Sequence, residues 1–120
     1  MKLPRRLFEA IRVRDGYFCL MALPGCMGEG NVLHHRANRG MGSSRVLDHP
    51  GVLCLVCSRC NGAAEDAHAI VRMDLIDRGL RVEKAATNHA TLTRALNTPV
   101  TDLEGRRWLL IDEHTRKEVD

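Results

Sequence analysis

Two cysteine pairs constrain this chain more than any other feature. Cys19 and Cys26 flank six residues, Cys57 and Cys60 flank two, and 30 residues separate the pairs. A structural zinc ion takes four soft ligands in a tetrahedron, usually two from each of two tight turns. Cys57-Ser58-Arg59-Cys60 has the tight spacing; Cys19 to Cys26 is looser, but Pro24, Gly25 and Gly28 make it a compact loop. The other use of such residues is four buried or redox-active thiols. The fifth cysteine, Cys54, lies in the apolar run VLCLV and is assigned to the core. An odd count argues against a disulfide framework. The aromatic residues are only Phe8, Tyr17, Phe18 and Trp108, so the core is thin. A zinc knot, whose binding free energy becomes folding free energy, would compensate.

At 120 residues the chain is read as one α+β domain. Its parts are an N-terminal helix (1–16), a zinc-bound core (17–68) and a C-terminal helix with strands (69–120). No apolar run approaches the roughly 18–20 residues of a membrane span, and charges interrupt the N-terminus too often for a secretory signal. A soluble, cytoplasmic protein with no membrane partner is therefore expected. The formal charge of +3 is uneven: residues 1–60 carry nine Lys/Arg against four Asp/Glu, and residues 61–120 nine against eleven. Arg outnumbers Lys fifteen to three, which suits planar, bidentate contacts to phosphate. Four thiolates around one zinc ion would lower the total to about +1, so binding to nucleic acid rests on local patches.

Pro4 opens a helix with Leu3, Leu7 and Ile11 on one face, stopped by Asp15-Gly16; Arg5, Arg6, Arg12 and Arg14 fall on its solvated side. Residues 31–35 and 52–56 read as strands of an antiparallel hairpin joined by a long loop. From Asn61 a helix places Ala64, Ala67, Val71 and Leu75 on one face, with a break midway and a stop at Gly79. Leu80–Glu83 reads as a strand, residues 85–98 give no clear pattern, and Arg106–Asp112 reads as the last strand.

The first strand ends in two adjacent histidines, in NVLHHRANRGMGSSR (31–45). Adjacent histidines on a strand can simply point one inward and one outward. The cysteine pairs change that reading. They would clamp the segment before His34-His35 to the segment just before Asn61, giving strand, loop, strand and helix with zinc behind them.

These residues resemble the HNH endonucleases of phage and bacterial genomes. The likeness rests on RDGYFC with Cys26, LHHR, RGMGSSR, LCLVCSRCN, and in order RGLRV, PV and GRRWLLID, covering most of the chain. The resemblance implies a ββα-metal core. It implies that His34 ligates a divalent metal and that His35 is the general base, with Asn61 as a second ligand and Glu65 assisting one turn on. The family's middle asparagine, which orients the base, falls at Val52, an aliphatic residue. On that alignment, Val52→Asn would be expected to raise activity.

The chemistry suits the residue types. Hydrolysis of a phosphodiester needs a deprotonated water, which an imidazole can provide, and positive charge near the developing oxyanion. The resemblance thus implies a metal-dependent DNA endonuclease, nicking its substrate, with structural Zn2+ and catalytic Mg2+ or Mn2+. Arg36, Arg39, Arg45 and Arg59 are candidate phosphate contacts. The alternative is a catalytically weak or inactive zinc-stabilised protein of the same fold, binding nucleic acid or a phage partner such as packaging machinery.

Overall fold

The computed structural model describes residues 3–38 and 45–120. The described chain is a small α+β domain with four α-helices and two small antiparallel sheets. Helix α1 (Arg5–Arg14) follows Pro4, whose fixed φ of −60° suits the entry to a helix. Strand β1 (Val32–His35) pairs with β2 (Leu53–Val56), opposing Val32 to Val56 and His35 to Leu53. A short 3-10 turn, Val46–Asp48, lies between them. Helix α2 (Ser58–Glu65) starts directly after β2, with Cys57 as its N-cap. Helices α3 (Ala69–Asp77) and α4 (Asn88–Leu96) follow, then a sheet of β3 (Val100–Thr101), β4 (Arg107–Leu110) and β5 (Arg116–Val119).

Strand β2 is the centre of the molecule, and all four of its residues are buried. One edge pairs with β1. The other is covered by the end of α1 and the turn after it: Leu20 donates its amide to the Leu55 carbonyl at 3.1 Å, and Asp15 accepts the Leu55 amide at 2.9 Å. Arg14 donates to the carbonyls of Leu53, Pro50 and Asp112, and pairs with Asp15 at 2.8 Å. An open strand edge is a hazard, and buried backbone groups must be paired. Arg14 does both jobs, so it belongs to the core and not to a solvated helix face.

The helix read from Asn61 begins earlier, at Ser58, and has its expected break around residues 66–68, between α2 and α3. Gly79 ends α3 at φ +70°, where a Cβ would lie 1.9 Å from the Pro99 carbonyl oxygen, so only glycine fits. Leu80–Glu83 forms no strand; Val82 instead donates its amide to the Arg36 carbonyl at 2.8 Å. Residues 88–96 are helical despite their Thr/Asn content. Thr87 caps that helix through its hydroxyl, and Thr91 and Ala95 are buried. Strand β5 was not anticipated; it pairs with β4 from Arg116 opposite Leu110 to Val119 opposite Arg107.

Candidate functional site

The Cys19–Cys26 segment and the Cys57–Cys60 turn bring four sulfurs together. Those of Cys19, Cys26, Cys57 and Cys60 all lie within 4.8 Å of one another, and three of the four residues are buried. The Cys26 and Cys57 sulfurs are 3.9 Å apart. The edge of a tetrahedron with Zn–S bonds of about 2.3 Å is about 3.8 Å. Backbone amides point at these sulfurs: Met27 and Cys60 donate to Cys57 Sγ at 3.5 and 3.4 Å, and Gly28 to Cys26 Sγ at 3.4 Å. Burial opposes ionisation of Cys57, but these amides and the neighbouring thiols pull its pKa down to about 6. Burial pushes Cys60 and Cys19 up. The group can hold a metal ion such as zinc. Cys54 lies apart from it, wholly buried in the core, where burial pushes its thiol up to about 12.

A cleft of about 720 Å³ opens between α2 and the end of β1. His34, His35, Asn61, Glu65, Arg81 and Lys84 are among its lining residues. Alternation along β1 sends the two rings different ways. His34 turns toward α2, with Nδ1 3.0 Å from Asn61 Oδ1 and Nε2 2.9 Å from the Leu80 carbonyl oxygen. His35 turns toward the 3-10 turn, where its Nε2 lies 2.8 Å from Asp48 Oδ1. Asn61 is placed by the first turn of α2, its amide donating to the Cys57 carbonyl. The cysteine cluster thus fixes one wall of the cleft.

His34 has a distinctive environment. Burial lowers its pKa below the usual histidine value, outweighing the Asn61 and Leu80 contacts, so the ring is neutral near pH 7. A neutral imidazole has one N–H and one lone pair. Leu80 offers only an acceptor, which places the proton on Nε2 and leaves the Nδ1 lone pair toward the Asn61 side-chain amide. That amide can turn its NH2 to the ring as a donor or, with Oδ1 turned to it, form with Nδ1 a pair of electron donors that a cation could bridge. Adjacent ligands of an octahedral ion bound at 2.0–2.1 Å are about 2.8–3.0 Å apart. A histidine whose second nitrogen is held by a backbone carbonyl is also the usual arrangement for a metal ligand.

Position 52 contradicts the sequence expectation. Val52 is wholly buried and packs with Ala37, Leu47, Val82 and Ala95. Its side chain is part of the core that anchors the 3-10 turn, and Asp48 on that turn reaches His35 instead. The sequence reading missed Asp48. A signal was present: it is the one acidic residue between Glu29 and Glu65.

The arginines divide. Arg36 is 1% exposed, and its guanidinium donates to the carbonyls of Gly79 (2.7 Å), Gly51 (2.7 Å), Ala95 (3.2 Å) and Thr98. Burial pulls its pKa down to about 10, so it stays charged at neutral pH. Four of its five N–H donors are spent on carbonyls inside the fold, so Arg36 is a structural clamp and not a phosphate contact. Arg45 and Arg59 are exposed. Arg39 lies outside the described residues. Arg81 and Lys84, which the sequence reading did not single out, bring positive charge to the cleft. Glu65 lines the cleft as expected from its place one turn beyond Asn61, whereas His68 is exposed at the N-cap of α3.

No protein-family model, curated protein or solved structure matches the chain. No helix among the described residues is long and apolar enough to cross a membrane.

Proposed function

We propose that the chain is a metal-dependent DNA endonuclease of the HNH type, with the β1–β2 hairpin and α2 as its ββα core and the four-cysteine cluster as a structural zinc site. The observation that carries this reading is the adjacency of His34 Nδ1 and Asn61 Oδ1, 3.0 Å apart, beside a second histidine in an open cleft. His34 and Asn61, with Glu65 nearby, would hold a divalent ion such as Mg2+ or Mn2+. When bound, that ion supplies positive charge for the phosphate oxygens. His35 takes the proton from the attacking water, and Arg81 and Lys84 attract the phosphate backbone into the cleft. So few protein ligands leave room for water and phosphate around the ion. The four-cysteine cluster, in contrast, has its coordination filled.

The test is nicking of supercoiled plasmid by zinc-loaded protein, with and without Mg2+ or Mn2+. Cleavage that needs the added ion and disappears in His35→Ala, with zinc content and fold unchanged, supports the reading. Metal-independent cleavage would overturn it. Absence of cleavage, with retained DNA binding, would leave a zinc-stabilised nucleic-acid-binding protein of this fold.

A further inference from the structure

We infer that Asp48 is the positioning residue for His35: it holds the ring proton on Nε2 and makes Nδ1 the nitrogen that acts on water. The inference rests on the nuclease reading for the role of His35, but the arrangement itself stands on geometry. His35 Nε2 and Asp48 Oδ1 are 2.8 Å apart, and both side chains are largely sheltered, at 24% and 12% exposure. A carboxylate is only an acceptor, so the neutral ring must place its proton on Nε2. Among the described residues no group takes Nδ1. That nitrogen is the one left for the cleft.

The scaffold holds Asp48 independently of His35. Its amide donates to the Arg45 carbonyl at 3.0 Å, and the preceding Leu47 is 1% exposed in the cluster with Val52 and Ala95. The carboxylate is therefore presented by a packed turn. A free imidazole samples both tautomers and several rotamers; a fixed carboxylate removes that freedom and stabilises the imidazolium formed when the base takes a proton. Position 52, where the resemblance places an orienting amide, anchors the turn that carries the carboxylate. The orienting job has moved four residues upstream and changed chemistry.

Two measurements on zinc-loaded protein test this. The first is long-range 1H–15N correlation of the histidine rings at mildly alkaline pH, with His35→Gln used to assign the His35 signals. The expected result is a single tautomer protonated at Nε2, becoming a mixture in Asp48→Ala. A mixture in the wild type, protonation at Nδ1, or an unchanged tautomer in Asp48→Ala would overturn the inference. The second is nicking kinetics for Asp48→Ala and the isosteric Asp48→Asn, each checked for zinc content and fold. Both should lose at least about tenfold in kcat with KM nearly unchanged. Wild-type rates in both variants would overturn the role. A wild type that holds the Nε2 tautomer but cleaves no DNA would sink the nuclease reading and leave Asp48's hold on His35 standing.

Discussion

Two groups of side chains meet at the start of helix α2 and differ in almost every physical respect. In one, four cysteine sulfurs lie within 4.8 Å of one another with backbone amides aimed at them. In the other, His34 and Asn61 lie in contact at the wall of an open cleft, with Glu65 nearby. The first group could close a coordination sphere with protein atoms and so contribute to folding. The second, on the nuclease reading, would leave most of a coordination sphere open to water and phosphate. Cys57 and Cys60 lie in the same turn of chain as Asn61, which couples the two: the closed site positions the open one.

The strongest way to break this comparison is to remove the closed site's metal. Stripping zinc with a strong chelator, or Cys60→Ser, should abolish the folded state, because structural zinc contributes about 10–16 kcal/mol, comparable to or above a domain's whole stability. Circular dichroism beside elemental analysis would show it; a fully folded, zinc-free protein would end the assignment. Arg36→Met comes next. Four carbonyls from three separate segments lose their donor, at about 1–3 kcal/mol for each group left unpaired, so a loss of about 3 kcal/mol or more is expected in urea unfolding. Because Arg36 directly follows His34 and His35 and is itself among the residues lining the cleft, the same variant should also weaken cleavage.

Val52→Asn sharpens the comparison within the cleft. An amide in that apolar cluster should cost about 1–3 kcal/mol and raise no nicking rate, since Asp48 already serves His35. A faster, folded variant would restore position 52 as the orienting site. His34→Ala should change stability less than Arg36→Met, because it removes two hydrogen-bond contacts where that variant removes four, while the Mn2+ concentration needed for half-maximal cleavage rises about 10–100-fold. The smallest effect expected lies far from both groups. Burial opposes ionisation of Asp102, yet the Trp108 indole and the amides of Arg106 and Glu104 hold its pKa below the ordinary 3.8. Its contribution is complete above that ordinary value and is lost as the pH falls through the lower folded one. Asp102→Asn should therefore flatten the acid limb of the stability curve by a small amount and leave neutral-pH cleavage unchanged.

Much of this was legible in the chain itself. Cysteine spacing set the metal cluster, because ligand chemistry and turn length are local properties. Apolar runs set the β1–β2 hairpin, and the residue directly after Cys60 placed Asn61 within reach of His34. What the sequence could not decide were interactions whose partners lie far apart. Arg14 and Arg36 look like solvated or phosphate-seeking cations until the fold surrounds them with carbonyls from residues 15 to 98 positions away. Leu80–Glu83 has strand composition but finds no pairing strand. Val52 and Asp48 show the difference most clearly. Alignment by spacing gives position 52 the orienting role, but a side chain's direction depends on packing, and packing turns Val52 into the core and Asp48 toward the histidine. Local chemistry is written in the residues; which groups meet is a tertiary property, because buried polar groups must find partners wherever the fold brings them.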